Sequence, residues 1–190
     1  MDIDIHEDKA FLNIDFAEKK LEKREFVKCN FTNCNFSKSN LAGNEFLDCT
    51  FTTCNLSLAE VNNTGFKNIQ FIHCKLMGID FSRCADFLFS ASFTHCQLDY
   101  SIFFQKKMKK TIFKDCSLKE VDFSEADLSA AIFNNCDLQQ ATFLRSNLEK
   151  TDFRTAYNYA FDPEMNRLKK AKFSLNGVTG LLSKYNLDIE

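Results

Sequence analysis

The sequence predicts an all-β solenoid, a quadrilateral parallel β-helix of about seven coils built from five-residue segments, closed by a short C-terminal helix. Three observations predict it. Phenylalanine stands at positions 11, 31, 51, 71, 93, 113, 133, 153 and 173, a step of 20 residues broken once by a step of 22. Inside each step runs a period of five, with an apolar centre at Phe16, Leu21, Phe26, Phe31 and onward to Phe81, then from Leu88 to Phe153. All nine cysteines stand two residues before a centre, if Cys84 is read in the register that ends at Phe81, and six make one column: Cys34, Cys54, Cys74, Cys96, Cys116 and Cys136.

A step of five residues rotates about 140° on an α-helix and smears the apolar positions around the cylinder. A straight strand fails as well, because an odd step flips the face. The chain must therefore bend once in every five residues. The centre and the small residue two places before it face inward, and the other three residues take the corner. A three-sided coil would mix Phe with Leu in the second half of the chain; four sides keep Phe over Phe, at Phe11, Phe31, Phe51, Phe71, Phe93, Phe113, Phe133, Phe153 and Phe173.

The elements follow in order. Residues 1–10 alternate Ile3 and Ile5 with acids and read as a strand that caps the open edge. Residues 11–155 form the β-helix, with a two-residue register slip near 82–87 that bulges one corner. At Asn158 and Pro163 the pattern fails, yet Leu168 and Phe173 return in phase, so 156–190 holds a final partial coil, a helix and a dimerisation tail. Ser174 is placed to cap that helix, and Leu175, Val178, Leu181, Leu182 and Tyr185 lie on one helical stripe, followed by Leu187 and Ile189. Two roles stay open for this stripe: a lid on the last coil, or a two-fold dimer interface.

Segments such as Ala126-Asp127-Leu128-Ser129 and Cys136-Asp137-Leu138-Gln139-Gln140 resemble the A(D/N)LXX unit of pentapeptide-repeat proteins over roughly residues 11 to 155. The resemblance implies that the coil is right-handed. Asp162-Pro163-Glu164-Met165-Asn166-Arg167 and the apolar end resemble the Qnr/McbG group, which implies a C-terminally joined homodimer acting on DNA gyrase or topoisomerase IV.

Composition narrows the function. No apolar run reaches the length of a membrane span and the start lacks a signal peptide, so a cytoplasmic protein with no membrane partner is expected. The cysteines read as reduced inward fillers rather than disulfides. His73 and His95 are equivalent residues on adjacent coils, but they alternate with the inward thiols and face water, so no metal site is assigned. No catalytic motif is present, and the chain reads as neither an enzyme nor a cofactor binder.

Lys106-Lys107-Met108-Lys109-Lys110 is basic, yet the net charge is −2, so direct nucleic-acid binding is not expected. Lys106 occupies an inward position, where a charge is costly without a partner; Asp86, equivalent to it one coil earlier, is predicted to pair with it. Phe87, Phe89, Ile102 and Phe104 fall at outward positions and form a candidate partner surface, unless the bulge turns Phe87 or Phe89 inward. Glu120, Asp122, Glu125 and Asp127 stand at outward positions and extend that surface. The leading expectation is a gyrase- or topoisomerase IV-binding protein that shields its target from a poison as a DNA-shaped dimer. The alternative is a protein-interaction scaffold with an unrelated target.

Overall fold

Each coil of the chain lays its phenylalanine ring on the ring of the coil before it. From Phe11 to Phe173 the rings stack in one unbroken column, with centroids 4.6 to 5.4 Å apart. That spacing is the separation of paired strands, about 4.8 Å, so the stack follows directly from parallel pairing in register. The computed structural model describes residues 3–87 and 89–188. Leu88 and Ile189, both given places by the sequence pattern, lie outside the described residues.

The first face of the solenoid is a four-stranded sheet of β1 (Asp4–Glu7), β3 (Arg24–Val27), β5 (Glu45–Leu47) and β7 (Gly65–Lys67). The second is a seven-stranded sheet of β2 (Ala10–Leu12), β4 (Asn30–Thr32), β6 (Thr50–Thr52), β8 (Ile69–Ile72), β9 (Ala91–Thr94), β10 (Ile112–Lys114) and β11 (Ile132–Asn134). Every pairing is parallel. The third and fourth faces are tied by single bridges, such as Asn35 to Asn55 to Lys75 and Ile102 to Asp122 to Thr142. The chain is thus a parallel β-solenoid with four contacts per coil.

Inside, rings stack within a column and meet edge-on between columns: Phe113 lies 4.9 Å from Phe133 at 1°, and 5.9 Å from Phe123 at 76°. Both arrangements suit the ring quadrupole. Burying each Phe contributes roughly 2 to 3 kcal/mol against leaving it in water, which makes this core the main stabilising term.

Where it is Cys, Ser, Thr or Asn, the residue two places before a centre has a second task that its small size conceals. Cys54 Sγ donates to the Phe31 carbonyl at 3.4 Å and Cys74 Sγ to the Phe51 carbonyl at 3.3 Å. Thr64 Oγ1 and Ser146 Oγ make the same bond to Leu41 and Phe123 at 2.8 and 2.9 Å. A small donor at this position satisfies the carbonyl of the coil below, whereas Ile79, Val121 and Ala126 fill the same position as apolar residues alone. Corners follow their own rule: the residue two places after most centres sits at positive φ, from Asp8 to Lys170, with Arg83 and Thr155 among the exceptions.

The register slip lies where expected, and its consequence is specific. Ala85 N still donates to Thr64 O and Ser90 N to Phe66 O, so the step between these rungs is longer than in the coil below. The first-face sheet accordingly ends at β7. Beyond the slip that face continues only as the bridges Lys107 to Asp127 to Asn147 to Arg167.

At the N-terminal end β1 is the outermost strand of the first face and pairs in register with β3, from Asp4 with Arg24 to Glu7 with Val27. His6 takes the centre position and stacks on Phe26 at 4.9 Å, while Ile3 and Ile5 point outward. At the other end Phe173 stacks on Phe153, completing the partial coil. The helix that follows, Gly177–Tyr185, is 3₁₀. Three residues per turn align Gly177 with Gly180, and a Cβ at either would come within 2.2 Å of Tyr159. The two glycines let the helix approach the hydroxyl and the backbone carbonyl of Tyr159.

Candidate functional site

The predicted partner surface divides around the slip. Phe89 turns inward, is 8% exposed, and meets Phe81 edge-on at 6.3 Å, so it leaves the candidate surface. The bulge leaves a gap in the first-face column that an apolar ring fills. Phe87 remains outside at 72% exposure, with Lys67 Nζ 5.5 Å from its ring. Ile102 and Phe104 stand half-exposed on the fourth face, two residues apart on one rung, whereas Phe87 belongs to the bulged first face. The four residues do not form one patch.

Lys106 closes the slip from above. Its Nζ is buried and donates to the Cys84 carbonyl at 2.7 Å and to Asp86 Oδ1 at 2.9 Å, above the Phe89 ring at 5.0 Å. The predicted pairing across the coil interface is present. Asp86 departs from its inward placement: its side chain is 78% exposed, and only one carboxylate oxygen reaches back to the lysine.

The acidic residues also divide. Glu120, Asp122 and Glu125 lie along the fourth face and its corners, with Glu120 and Glu125 exposed. Gln105 and Arg145 approach Glu125 from the coils on either side, at 2.8 and 3.8 Å. Asp122 is held locally, accepting from the Ser124 amide at 2.8 Å. Asp127 lies around the corner on the first face, between Lys109 at 3.4 Å and Asn147 at 3.0 Å. Burial alone would raise its pKa, but the Ser129 amide and Lys109 hold the carboxyl below the usual range. Over residues 97–145 the third and fourth faces carry Asp99, Glu120, Asp122, Glu125 and Asp137 against only Lys119 and Arg145.

The histidines stack as an exposed pair, His73 on His95 at 4.7 Å and 2°. Asp115 stands 3.6 Å beyond His95. Among the described residues no group of three His, Cys, Asp or Glu could hold a metal ion. No described helix is long and apolar enough to cross a membrane.

At the C-terminal end the apolar stripe is split by the 3₁₀ geometry. Leu181 is buried against the last coil and Leu182 is half-buried. Leu175, Val178, Tyr185 and Leu187 are exposed, Leu175 to 88%. The N-cap position falls on Asn176 rather than Ser174, and its side chain makes no cap bond; Ser174 Oγ, two residues earlier, accepts from the Gly177 amide at 3.0 Å. Lys184 fastens the helix back to the solenoid through Asp162 at 2.8 Å and Glu164 at 2.9 Å.

The family model for a pentapeptide repeat region matches residues 24–86 and 85–156. The chain belongs to the pentapeptide-repeat family. Its solenoid is similar to that of HetL, a pentapeptide repeat protein involved in heterocyst differentiation regulation from the cyanobacterium Nostoc. The match has a TM-score of 0.58 at 14% identity and covers 92% of this chain and 88% of that one. Two forms of QnrB1, a plasmid-mediated fluoroquinolone resistance protein, also match. A trypsin-treated form has 25% identity and a TM-score of 0.48 over 98% of this chain and 92% of that one. The full-length form has 22% identity and a TM-score of 0.37 over 96% of this chain and 100% of that one. No curated protein matches the chain.

Sequence reasoning missed two features of this pentapeptide-repeat chain. The donor role of the inward small residue is visible only in that Cys, Ser, Thr and Asn share the position. The inward turn of Phe89 depends on the path of the bulge, which no spacing rule fixes.

Proposed function

We propose that this chain is a non-enzymatic binding protein that engages a type II topoisomerase, DNA gyrase or topoisomerase IV, and protects it from a poison. One observation carries the reading: charge is sorted by face, so that the third and fourth faces present an acidic flank although the whole chain is nearly neutral. A rigid rod that carries Glu120, Asp122 and Glu125 on one coil, with Asp99 and Asp137 on the coils on either side, offers a basic DNA-binding groove a substitute for phosphates. The tail supports a dimer joined at its C-terminal ends, because Leu175, Val178, Tyr185 and Leu187 remain exposed after Leu181 is committed to the last coil.

A supercoiling assay with purified gyrase, with and without a fluoroquinolone, tests it. Inhibition of supercoiling or relief of the drug's effect is expected; absence of inhibition, binding and protection would remove the reading. A scaffold role with an unrelated target is favoured instead by Phe87, whose exposed ring has no place on an acidic DNA substitute.

A further inference from the structure

The opposite edge of the rod carries the opposite charge. Over residues 107–172 the outward positions of the first and second faces hold ten lysines and arginines against four carboxylates. All four are already engaged: Asp115 with Asn135 at 2.7 Å, Asp127 with Lys109 at 3.4 Å, Glu149 with Arg167 at 2.7 Å, and Asp152 with Arg154 at 2.7 Å. What remains is a ladder at the corner between the two faces, where Lys110, Ala130, Lys150 and Lys170 succeed one another at positive φ. Lys169 flanks it on the first face, and Lys114 and Lys172 on the second. These six lysines are exposed, and among the described residues none has a carboxylate within ion-pair distance. A net charge of −2 for the chain conceals this strip completely.

We propose that this lysine edge binds the phosphate backbone of duplex nucleic acid without regard to sequence. From Lys110 to Lys170 the ladder climbs three coils, about 14 Å. Over that length a duplex presents one phosphate charge per roughly 1.7 Å of axis, so several lysines meet phosphates at once. Lysine at this density is depleted from protein interfaces, which favour aromatic residues and arginine. Single strands call for aromatic stacking platforms, and the outward positions of the first face and its corner carry no aromatic residue over 107–170. A bilayer surface calls for bulky apolar anchors, whereas only the half-exposed Ile112 and Ile132 border the strip. Backbone contacts by flexible point charges position a duplex and read no bases.

The inference stands apart from the topoisomerase reading, because it concerns the protein alone. Fluorescence anisotropy of the full chain with a labelled duplex of arbitrary sequence, at about 50 mM salt and above, tests it. Binding is expected, with a slope of log affinity against log salt of about −3 to −5, as release of counterions from four or five phosphates gives. The triple variant Lys110→Glu, Lys150→Glu, Lys170→Glu should lose at least about tenfold in affinity, while its circular dichroism melt shows it folded. Lys75→Glu, on the third face, should bind as the unmodified chain does. No duplex binding at low salt overturns the proposal, and so does a triple variant that is folded and binds undiminished. Capture by phosphatidylserine vesicles with no binding to duplex also overturns it.

Discussion

Lys106 Nζ lies 2.9 Å from Asp86 Oδ1 and 2.7 Å from the Cys84 carbonyl, so a lysine that is 1% exposed finds both its partners in the coil below. The slip of two residues makes this necessary. It removes a strand from the first face and leaves the Cys84 carbonyl without a ladder partner, and the ammonium supplies the missing donor.

Removing the amine leaves that carbonyl buried and unsatisfied, together with a cavity. Lys106→Ala should therefore cost about 2 to 4 kcal/mol in urea unfolding. Asp86→Ala should cost under about 1 kcal/mol, since the carboxylate is largely solvated and screened. Equal losses from the two variants would contradict the division of roles.

The inward thiols make a second test, because they act as donors as well as fillers. Cys96 Sγ donates to the Phe71 carbonyl at 3.3 Å, and Ser101 Oγ makes the equivalent bond to Leu76 at 2.8 Å. Cys96→Ser should remain within about 1 kcal/mol of the parent, and Cys96→Val should lose about 1 to 3 kcal/mol through an unpaired carbonyl and overpacking. If Val is tolerated better than Ser in thermal unfolding, the thiol is a filler and nothing more.

Burial also fixes a pH dependence. It pushes the Cys49 and Cys84 thiols from 9.0 up to about 12 in the folded chain. The unfolded chain therefore loses these protons first as pH rises. Their contribution is fully present below about pH 9 and is lost between about 9 and 12. Urea midpoints should accordingly be insensitive to these thiols at neutral pH and fall through that window. Native protein at pH 8 should resist iodoacetamide, and rapid alkylation of folded chains would contradict the burial.

The four-sided coil and the site of the slip were legible because a period of five admits one solution once helix and strand are excluded. The Lys106–Asp86 pair was legible for the same reason: a charge at an inward position announces its need for a partner. Phe89, His6 and the 3₁₀ helix were not. Phe89 depends on how seven residues cross a space built for five, and His6 replaces Phe at a centre. Gly177 and Gly180 are required by one residue, Tyr159, through its hydroxyl and its backbone carbonyl. The acidic and basic flanks were hidden by the near-zero net charge, since composition sums over faces that only the coil separates.

The two roles of the tail can now be separated by residue. Leu181→Asp disturbs a side chain buried in its own chain and should lower the melting temperature. Leu175→Asp with Leu187→Asp alters exposed positions and should leave folding intact while halving the mass seen in light scattering. An unmodified protein that is already a monomer would leave the tail as a lid alone. Gly180→Ala, whose Cβ would come within 2.0 Å of the Tyr159 carbonyl, should detach the helix and weaken both roles.

The most direct measurement of the central claim is interferometry of this protein on immobilised gyrase in the absence of DNA, comparing the parent with Glu120→Lys, Glu125→Lys. Both residues are exposed, so the double variant should fold. Saturable binding by the parent that weakens at least about tenfold in the variant and with added salt is the predicted result. No binding by the parent, or equal binding by both proteins, would contradict an acidic flank as the surface that meets the enzyme.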